Sequence, residues 1–341
     1  MNHRSGWFLL LSYSVLFGLV VNAATAAEIF WPTPDSRFFE GESVDVMLQP
    51  TASGRLESAL FGCVRNGGRR FHEGLDLKPL RRDRSGEASD PIYSVMAGRV
   101  SYVNAKAGNS SYGRYVVVEH LDADVPVYTL YAHLASIEPG IRAGSRVEAG
   151  QRLGTMGRSA GGYSIPRSRA HLHFEIGLVK TSDFDDWYRQ QSYGSRNLHG
   201  NYNGINMIGS NPLTFFETVR AGEFEDFSSY FANLPTAFTV RVATRTLPDF
   251  ILRYPKLLTR PIPRDGVAGW DIDYTWYGLP KRWTPLTEED VRTRREGDVT
   301  LVSWDESVFE GQCRATLVFD SKGNPSIGKN LKSDLKLMFG F

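Results

Sequence analysis

The chain has 341 residues, with 39 lysines and arginines against 38 aspartates and glutamates, a formal net charge of +1. That balance excludes, at whole-chain level, the basic footprint that nucleic-acid binding needs. A content of 41% hydrophobic and 23% charged residues is that of a globular protein and not of a disordered or fibrous one, and the length suits two domains.

His3 and Arg4 precede an apolar run over residues 7–21, and Ala24 and Ala26 then form an A-x-A site. This order predicts a secretory signal peptide over residues 1–26, cut near Ala26 or Ala27. The run falls short of the roughly 20 apolar residues of a spanning helix. No cysteine follows it to carry a lipid, and no later segment is apolar enough for stable membrane insertion. The mature protein is expected outside the cytoplasm, periplasmic or fully secreted. An oxidising compartment allows Cys63 and Cys313 to pair; two separate buried thiols fit the sequence equally well.

Residues 27–59 form an extended segment in which the alternation of Ser43-Val44-Asp45-Val46-Met47-Leu48 predicts one strand. Residues 60–216 are strand-rich. Runs at 92–95, 99–103, 115–119 and 127–131 carry β-branched and aromatic residues, and glycines punctuate them. The pattern predicts a mainly β, antiparallel sheet or barrel-like domain. Within it, Ser182 or Asp183 is positioned to cap a short helix reaching Gln191, and residues 199–212 form a Gly/Asn-rich loop. A boundary is expected near 217. Beyond it, residues 217–341 contain strand-like runs at 237–242, 270–283, 299–304 and 315–319, a further β-rich region to which no motif assigns a chemistry.

Four of the seven histidines fall in three short segments: Phe71-His72-Glu73-Gly74-Leu75-Asp76-Leu77, Leu130-Tyr131-Ala132-His133-Leu134 and Ala170-His171-Leu172-His173-Phe174-Glu175-Ile176. Alternate side chains share a strand face, so His171 and His173 project together while Leu172 and Phe174 face a core. Two adjacent buried imidazoles each need hydrogen-bond partners, and a metal or catalytic role supplies that need. His72, Gly74 and Asp76 also share a face, with Gly74 leaving room between the polar groups. Alternation places His133 with Thr129 and Tyr131. His120 is expected to be structural or solvated and His199 exposed. For Glu175, a hydrogen bond to a ligand histidine and a salt bridge at the strand edge are both open.

Taken in order, His-x-Gly-x-Asp, Tyr-x-His-Leu and His-Leu-His-Phe-Glu-Ile resemble the signature of the lysostaphin/LytM-type zinc metallopeptidases. Residues 91–100, 141–157 and Asn211-Pro212-Leu213 are similar to the family's intervening and closing patterns, so the resemblance covers about residues 60–216. It implies one Zn2+ held by His72, Asp76 and His173, with His133 and His171 beside it as catalytic residues. The activity implied is hydrolysis of amide bonds in peptidoglycan stem peptides or cross-links by zinc-activated water. A non-catalytic relative that activates another wall hydrolase is the alternative, but such proteins typically lack several of these five residues.

The chain departs from the family pattern in three arginine-bearing stretches: Arg65, Arg69 and Arg70; Arg81, Arg82 and Arg84; Arg158, Arg167 and Arg169. If they border one cleft, their guanidinium groups suit the free carboxylates of stem peptides. Trp187, Tyr188 and Tyr193 either wall the groove or pack against the domain. For residues 217–341, wall binding, a protein contact and buttressing are the open roles.

Overall fold

The computed structural model describes residues 28–340. The predicted signal peptide lies outside the described residues. No described helix is long and apolar enough to cross a membrane.

Twelve strands precede residue 211: β1 (Gly62–Arg65), β2 (Arg70–His72), β3 (Leu75–Leu77), β4 (Pro91–Tyr93), β5 (Gly98–Asn104), β6 (Tyr115–His120), β7 (Val127–Ala132), β8 (Ser136–Ile137), β9 (Arg146–Val147), β10 (Arg152–Thr155), β11 (Leu172–Val179) and β12 (Met207–Ser210). The central seven-stranded sheet runs in the order β12-β11-β7-β6-β5-β9, with β3 also paired to β11. Its strand pairings are antiparallel. The path is open, so the described residues form an antiparallel sheet and no closed barrel. Val116, Val117 and Val118 are fully buried; β-branched side chains fit such a pleated surface covered on both sides.

The predicted strands at 92–95, 99–103, 115–119 and 127–131 form as β4 to β7. Two local expectations fail. Residues Val44–Met47 form a 3-10 turn because the Ser43 side chain accepts from the Asp45 amide, a local bond that competes with the extended chain. The loop expected at 199–212 contains β12, buried along its whole length against β11; the three glycines of this stretch, at 200, 204 and 209, mask the strand pattern. Helix α1 (Phe184–Gln190) forms where predicted, but Asp183 makes no capping bond, and Ser182 bonds Asp249 instead.

Helix α2 (Pro212–Arg220) runs through position 217. The Asn211 side chain accepts from the Leu213 amide, and Pro212 occupies the first turn, both favourable at a helix start. Next come α3 (Phe227–Asn233), β13 (Phe238–Val242), α4 (Asp249–Arg253), β14 (Gly269–Tyr274), β15 (Pro280–Leu286), α5 (Glu288–Val291), β16 (Val299–Trp304), β17 (Leu317–Phe319), β18 (Pro325–Ile327) and α6 (Lys329–Phe339). A second sheet has the order β15-β14-β13-β16. Trp270 and Trp283 are fully buried against it, and burial of one large apolar side chain contributes about 1.5–3 kcal/mol.

One hydrophobic core joins the two halves. Phe216 of α2 packs on Trp31 and on Phe174 of β11, with ring centroids 4.6 and 5.6 Å apart. Tyr277 in the β14–β15 turn packs 4.9 Å from Phe61, and its neighbour Trp276 lies 5.8 Å from Phe71. The C-terminal region therefore packs directly behind the strand that carries His72. A disulfide joins Cys63 to Cys313 across a sequence separation of 250.

Candidate active site

Strand pairing assembles the first part of the site. Asp76 on β3 sits opposite His173 on β11. His72 ends β2, and the chain breaks between β2 and β3 at Glu73 and Gly74. Gly74 is required there: a Cβ would sit 2.3 Å from the Phe174 carbonyl oxygen and 2.9 Å from Cε1 of His173. His72, Asp76 and His173 are all buried, and one ligand atom from each lies within 4.8 Å of the others. His72 Nε2 is 3.1 Å from Asp76 Oδ1 and 3.0 Å from His173 Nδ1, and His173 Nδ1 is 3.0 Å from the same carboxylate oxygen.

His171 precedes β11 and is held by its amide, which donates to the Gly157 carbonyl at 3.0 Å. Its Nε2 lies 3.6 Å from Asp76 Oδ2, and its ring centroid is 4.7 Å from that of His133. His133 reaches the cluster by a route alternation did not foresee. Ala132 pairs with His173 and Leu130 with Glu175, so strict alternation would send His133 to the opposite face with Tyr131. Instead β7 ends at Ala132 and His133 takes φ +61°, a left-handed conformation costly for a residue with a side chain. Its amide donates to the Tyr112 carbonyl at 2.9 Å, and the ring turns back onto the site.

Each of the four rings is anchored by a hydrogen bond at one nitrogen. Nδ1 of His72, His133 and His171 lies 2.7, 2.8 and 2.8 Å from the carbonyl oxygens of Leu60, Ser159 and Arg169. Nε2 of His173 lies 2.9 Å from Glu175 Oε1. At His72, His133 and His171 the nitrogen facing the carbonyl oxygen must be the donor, which leaves the other nitrogen of the neutral ring with a lone pair, whereas His173 has a carboxylate oxygen at each nitrogen, Glu175 Oε1 at Nε2 and Asp76 Oδ1 at Nδ1. Glu175 is itself buried and accepts from the phenols of Tyr112 and Tyr128 at 2.6 and 3.0 Å. The hydrogen-bond reading of Glu175 is the one the geometry supports.

Burial opposes ionisation of Asp76, but the neighbouring His72, His171 and His173 rings outweigh it and hold the carboxyl well below its usual range. Burial and neighbouring imidazoles keep His133 well below the ordinary histidine value. Burial also lowers His171, against the pull of Asp76. Both rings are therefore neutral proton acceptors near pH 7. At His173 burial works against the proton, but hydrogen bonds to Asp76 and Glu175 prevail and raise it to about 9. A cation at Nδ1 competes with that proton.

For a metal ion held by His72, Asp76 and His173, replacing Glu175 by glutamine should weaken affinity by roughly 10–100-fold. An amide NH2 turned to Nε2 favours the tautomer with its proton on Nδ1, where the metal lone pair is needed. Competition against a chromogenic chelator measures the effect, and wild-type affinity in E175Q would contradict it.

The other expectations divide. His120 is structural: it is buried, with Nδ1 donating to the Ala97 carbonyl at 2.8 Å and Nε2 2.8 Å from Thr129 Oγ1. His199 is only half exposed. It lies 2.9 Å from the Tyr102 hydroxyl and 3.0 Å from the Asn109 carbonyl oxygen. Most of the loop arginines serve the loops themselves. Arg158 and Arg167 both grip Glu87, Arg81 pairs with Asp90, and Arg82 donates to the carbonyls of Gly86, Arg167 and Ser168. Trp187, Tyr188 and Tyr193 stack with Phe184 against α6 and do not line the cleft. The cleft over the histidine cluster has a volume of about 920 Å3 and is bordered by Arg65, Arg70 and Arg169.

Residues 70–185 match the model of peptidase family M23. This segment is a peptidase family M23 domain. All five cluster residues fall within it. The chain is also similar to the L-Ala--D-Glu endopeptidase of Bacillus subtilis (strain 168), 30% identical over 125 residues, 36% of this chain and 33% of that relative. The match thus spans about one third of the relative's length. Among solved structures, a zinc-containing peptidase from Vibrio cholerae is 28% identical, with 38% of this chain and 35% of the other covered at a TM-score of 0.26. The catalytic domain of lysostaphin from Staphylococcus simulans is 19% identical, with 50% and 89% covered at a TM-score of 0.29. TM-scores this low carry no weight, and the family rests on the sequence match.

Proposed function

We propose that the chain is an exported, zinc-dependent endopeptidase that hydrolyses amide bonds in peptidoglycan stem peptides or cross-links. The observation that carries this reading is the set of four imidazoles whose outward nitrogens are tied to oxygens, three of which, His72, His171 and His173, bring their inward nitrogens 3.1, 3.6 and 3.0 Å from the Asp76 carboxylate, with the His133 ring 4.7 Å from that of His171. Such a set is costly to bury without a function.

His72 Nε2, His173 Nδ1 and an Asp76 oxygen make a donor set suited to Zn2+ with a further position open. Bound there, zinc supplies Lewis-acid activation of water and of a peptide carbonyl. His133 and His171 hold their unprotonated Nε2 atoms at the same cluster. One takes the proton of the attacking water, and a protonated imidazole then stabilises the developing oxyanion or delivers its proton to the leaving amine. Asp76 stays ionised throughout.

Peptidoglycan as the substrate is supported by the similarity to the L-Ala--D-Glu endopeptidase. Export is supported by the N-terminal sequence pattern and by the Cys63–Cys313 disulfide, a bond that persists in oxidising compartments. The gathering of all five residues at one cluster favours catalysis over a purely activating role.

The test is incubation of the mature, zinc-loaded protein with purified sacculi, followed by mass spectrometry of the soluble products. Release of peptide fragments with one new amine and one new carboxylate is expected, and the fragments identify the bond. Sacculi left intact by protein that demonstrably holds zinc would refute the reading.

A further inference from the structure

The cleft extends well beyond the histidine cluster, and part of its wall comes from the C-terminal region. Arg314, Asn330 and Asp334 border it together with Arg65, Arg70 and Lys180. Five cationic side chains, these four and Arg169, face three carboxylates. Two of those carboxylates are already engaged: Asp76 accepts from Arg65 at 2.5 Å, and Asp334 pairs with Lys180 at 2.6 Å. The third is Glu73. No carboxylate among the described residues pairs with Arg70, Arg169 or Arg314, so the cleft keeps an excess of unpaired guanidinium groups.

Arg314 is the most constrained of them. Its guanidinium lies over the Phe71 ring at 4.9 Å, and its Nε donates to the Tyr277 carbonyl at 3.3 Å. Asn330 holds the Arg314 carbonyl oxygen. These contacts fix the side chain and leave both Nη groups without a protein acceptor among the described residues. The preceding residue, Cys313, is bonded to Cys63, two positions before Arg65, with 5.8 Å between the Cα atoms. The disulfide thus clamps an arginine-bearing segment of the C-terminal region beside the arginine-bearing strand of the M23 half. Arg65 Nε is buried with no hydrogen-bond partner. Arg65 and Arg314 lie outside residues 70–185, while Arg70, Arg169 and Lys180 lie within them, so the wall combines the matched segment with parts of the chain beyond it.

We propose that Arg314, with Arg70 and Arg65, binds a free carboxylate of the peptide substrate and makes the cleft selective for acidic over amidated peptides. The inference deepens the peptidase reading and rests on it. A guanidinium held with two parallel N–H groups free fits a carboxylate in a bidentate pair. A neutral carboxamide loses the charge and leaves one donor facing another donor. The selectivity expected is on the order of 10-fold, which corresponds to about 1.4 kcal/mol and lies within the range of a charge-assisted hydrogen bond.

The experiment compares a synthetic stem peptide whose carboxylates are free with the same peptide carrying each as a carboxamide. Both kcat and KM are measured on the full chain, and Kd by calorimetry. Wild type should show a roughly 10-fold lower KM and Kd for the acid. Arg314→Ala should erase the ratio by raising KM for the acid, and Arg314→Lys should restore part of it. Arg70 is exposed and makes no packing contact of this kind, so Arg70→Ala should reduce the ratio even if Arg314→Ala folds poorly. A ratio near one in wild type, or the wild-type ratio retained in both alanine variants, would overturn the proposal. If wild type cuts neither peptide, the peptidase reading fails, and the calorimetric acid/amide ratio alone decides this one.

Discussion

Alanine at His173 is expected to abolish zinc binding and peptidase activity together, while alanine at His133 should retain zinc and lower turnover by roughly 10²–10⁴-fold. His173 Nδ1 sits within hydrogen-bond distance of both His72 and Asp76, so its removal takes away one of three ligand atoms. It also strips Glu175 of its imidazole partner, leaving that carboxylate buried with only the two tyrosine phenols. His133 is different. Its outward nitrogen is tied to Ser159, and the ligand group His72, Asp76 and His173 closes without it. The left-handed backbone at His133 makes alanine there an imperfect probe, because a side chain in that region costs roughly 1–2 kcal/mol. Asparagine tolerates the region better, so His133→Asn separates lost chemistry from backbone strain. Metal analysis of the purified variants and single-turnover rates on a stem peptide give the two readouts. Zinc retained at full stoichiometry in H173A, or wild-type turnover in both His133 variants, would reverse the assignment.

The candidate residues stand out in the sequence because part of their signal is local, while their joint assignment as ligands rests on the family resemblance. His171 and His173 two apart, and His72 and Asp76 flanking a glycine, each put side chains within a turn or a strand of one another. Glu175 carried the same signal, two residues beyond His173 on the same strand face, but its partners Tyr112 and Tyr128 come from elsewhere in the chain and were invisible to spacing. His133 misled the alternation argument because a single backbone angle reversed its face, and no side-chain pattern reports φ. The arginines show the limit most clearly. Loop position suggested that all three groups border the cleft, yet Arg158 and Arg167 are spent on Glu87, an ion-pair choice made across 71 and 80 residues. Arg314 belongs to the cleft only through contacts with Phe71 and Tyr277 and a disulfide spanning 250 positions. Long-range packing of this kind leaves no periodicity to read.

That disulfide leads to the largest stability effect expected of the fold. Closing a loop of this length removes chain entropy from the unfolded state worth about 5 kcal/mol in the simplest model, and measured losses on removing native disulfides run about 2–5 kcal/mol. Substituting both cysteines by alanine should therefore lower Tm by roughly 5–10 °C. The surroundings argue against a strong compensating relaxation. The Cys313 amide donates to Cys63 Sγ at 3.2 Å, and Gly311 lies so close that a Cβ there would meet that sulfur at 2.9 Å. The aromatic contacts of Tyr277 with Phe61 and of Trp276 with Phe71 remain in the variant, so the C-terminal region should stay docked near its native position but with a looser rim. Calorimetric melting of wild type with and without reductant, beside the double variant, measures the loss. Zinc stoichiometry should be retained, since the group His72, Asp76 and His173 includes neither cysteine, whereas the acid/amide ratio set by Arg314 should fall because its backbone is no longer clamped to the strand of Arg65. A double variant that melts with the wild type would mean the packed aromatic seam alone holds the C-terminal region, and the bond then adds nothing to the native state.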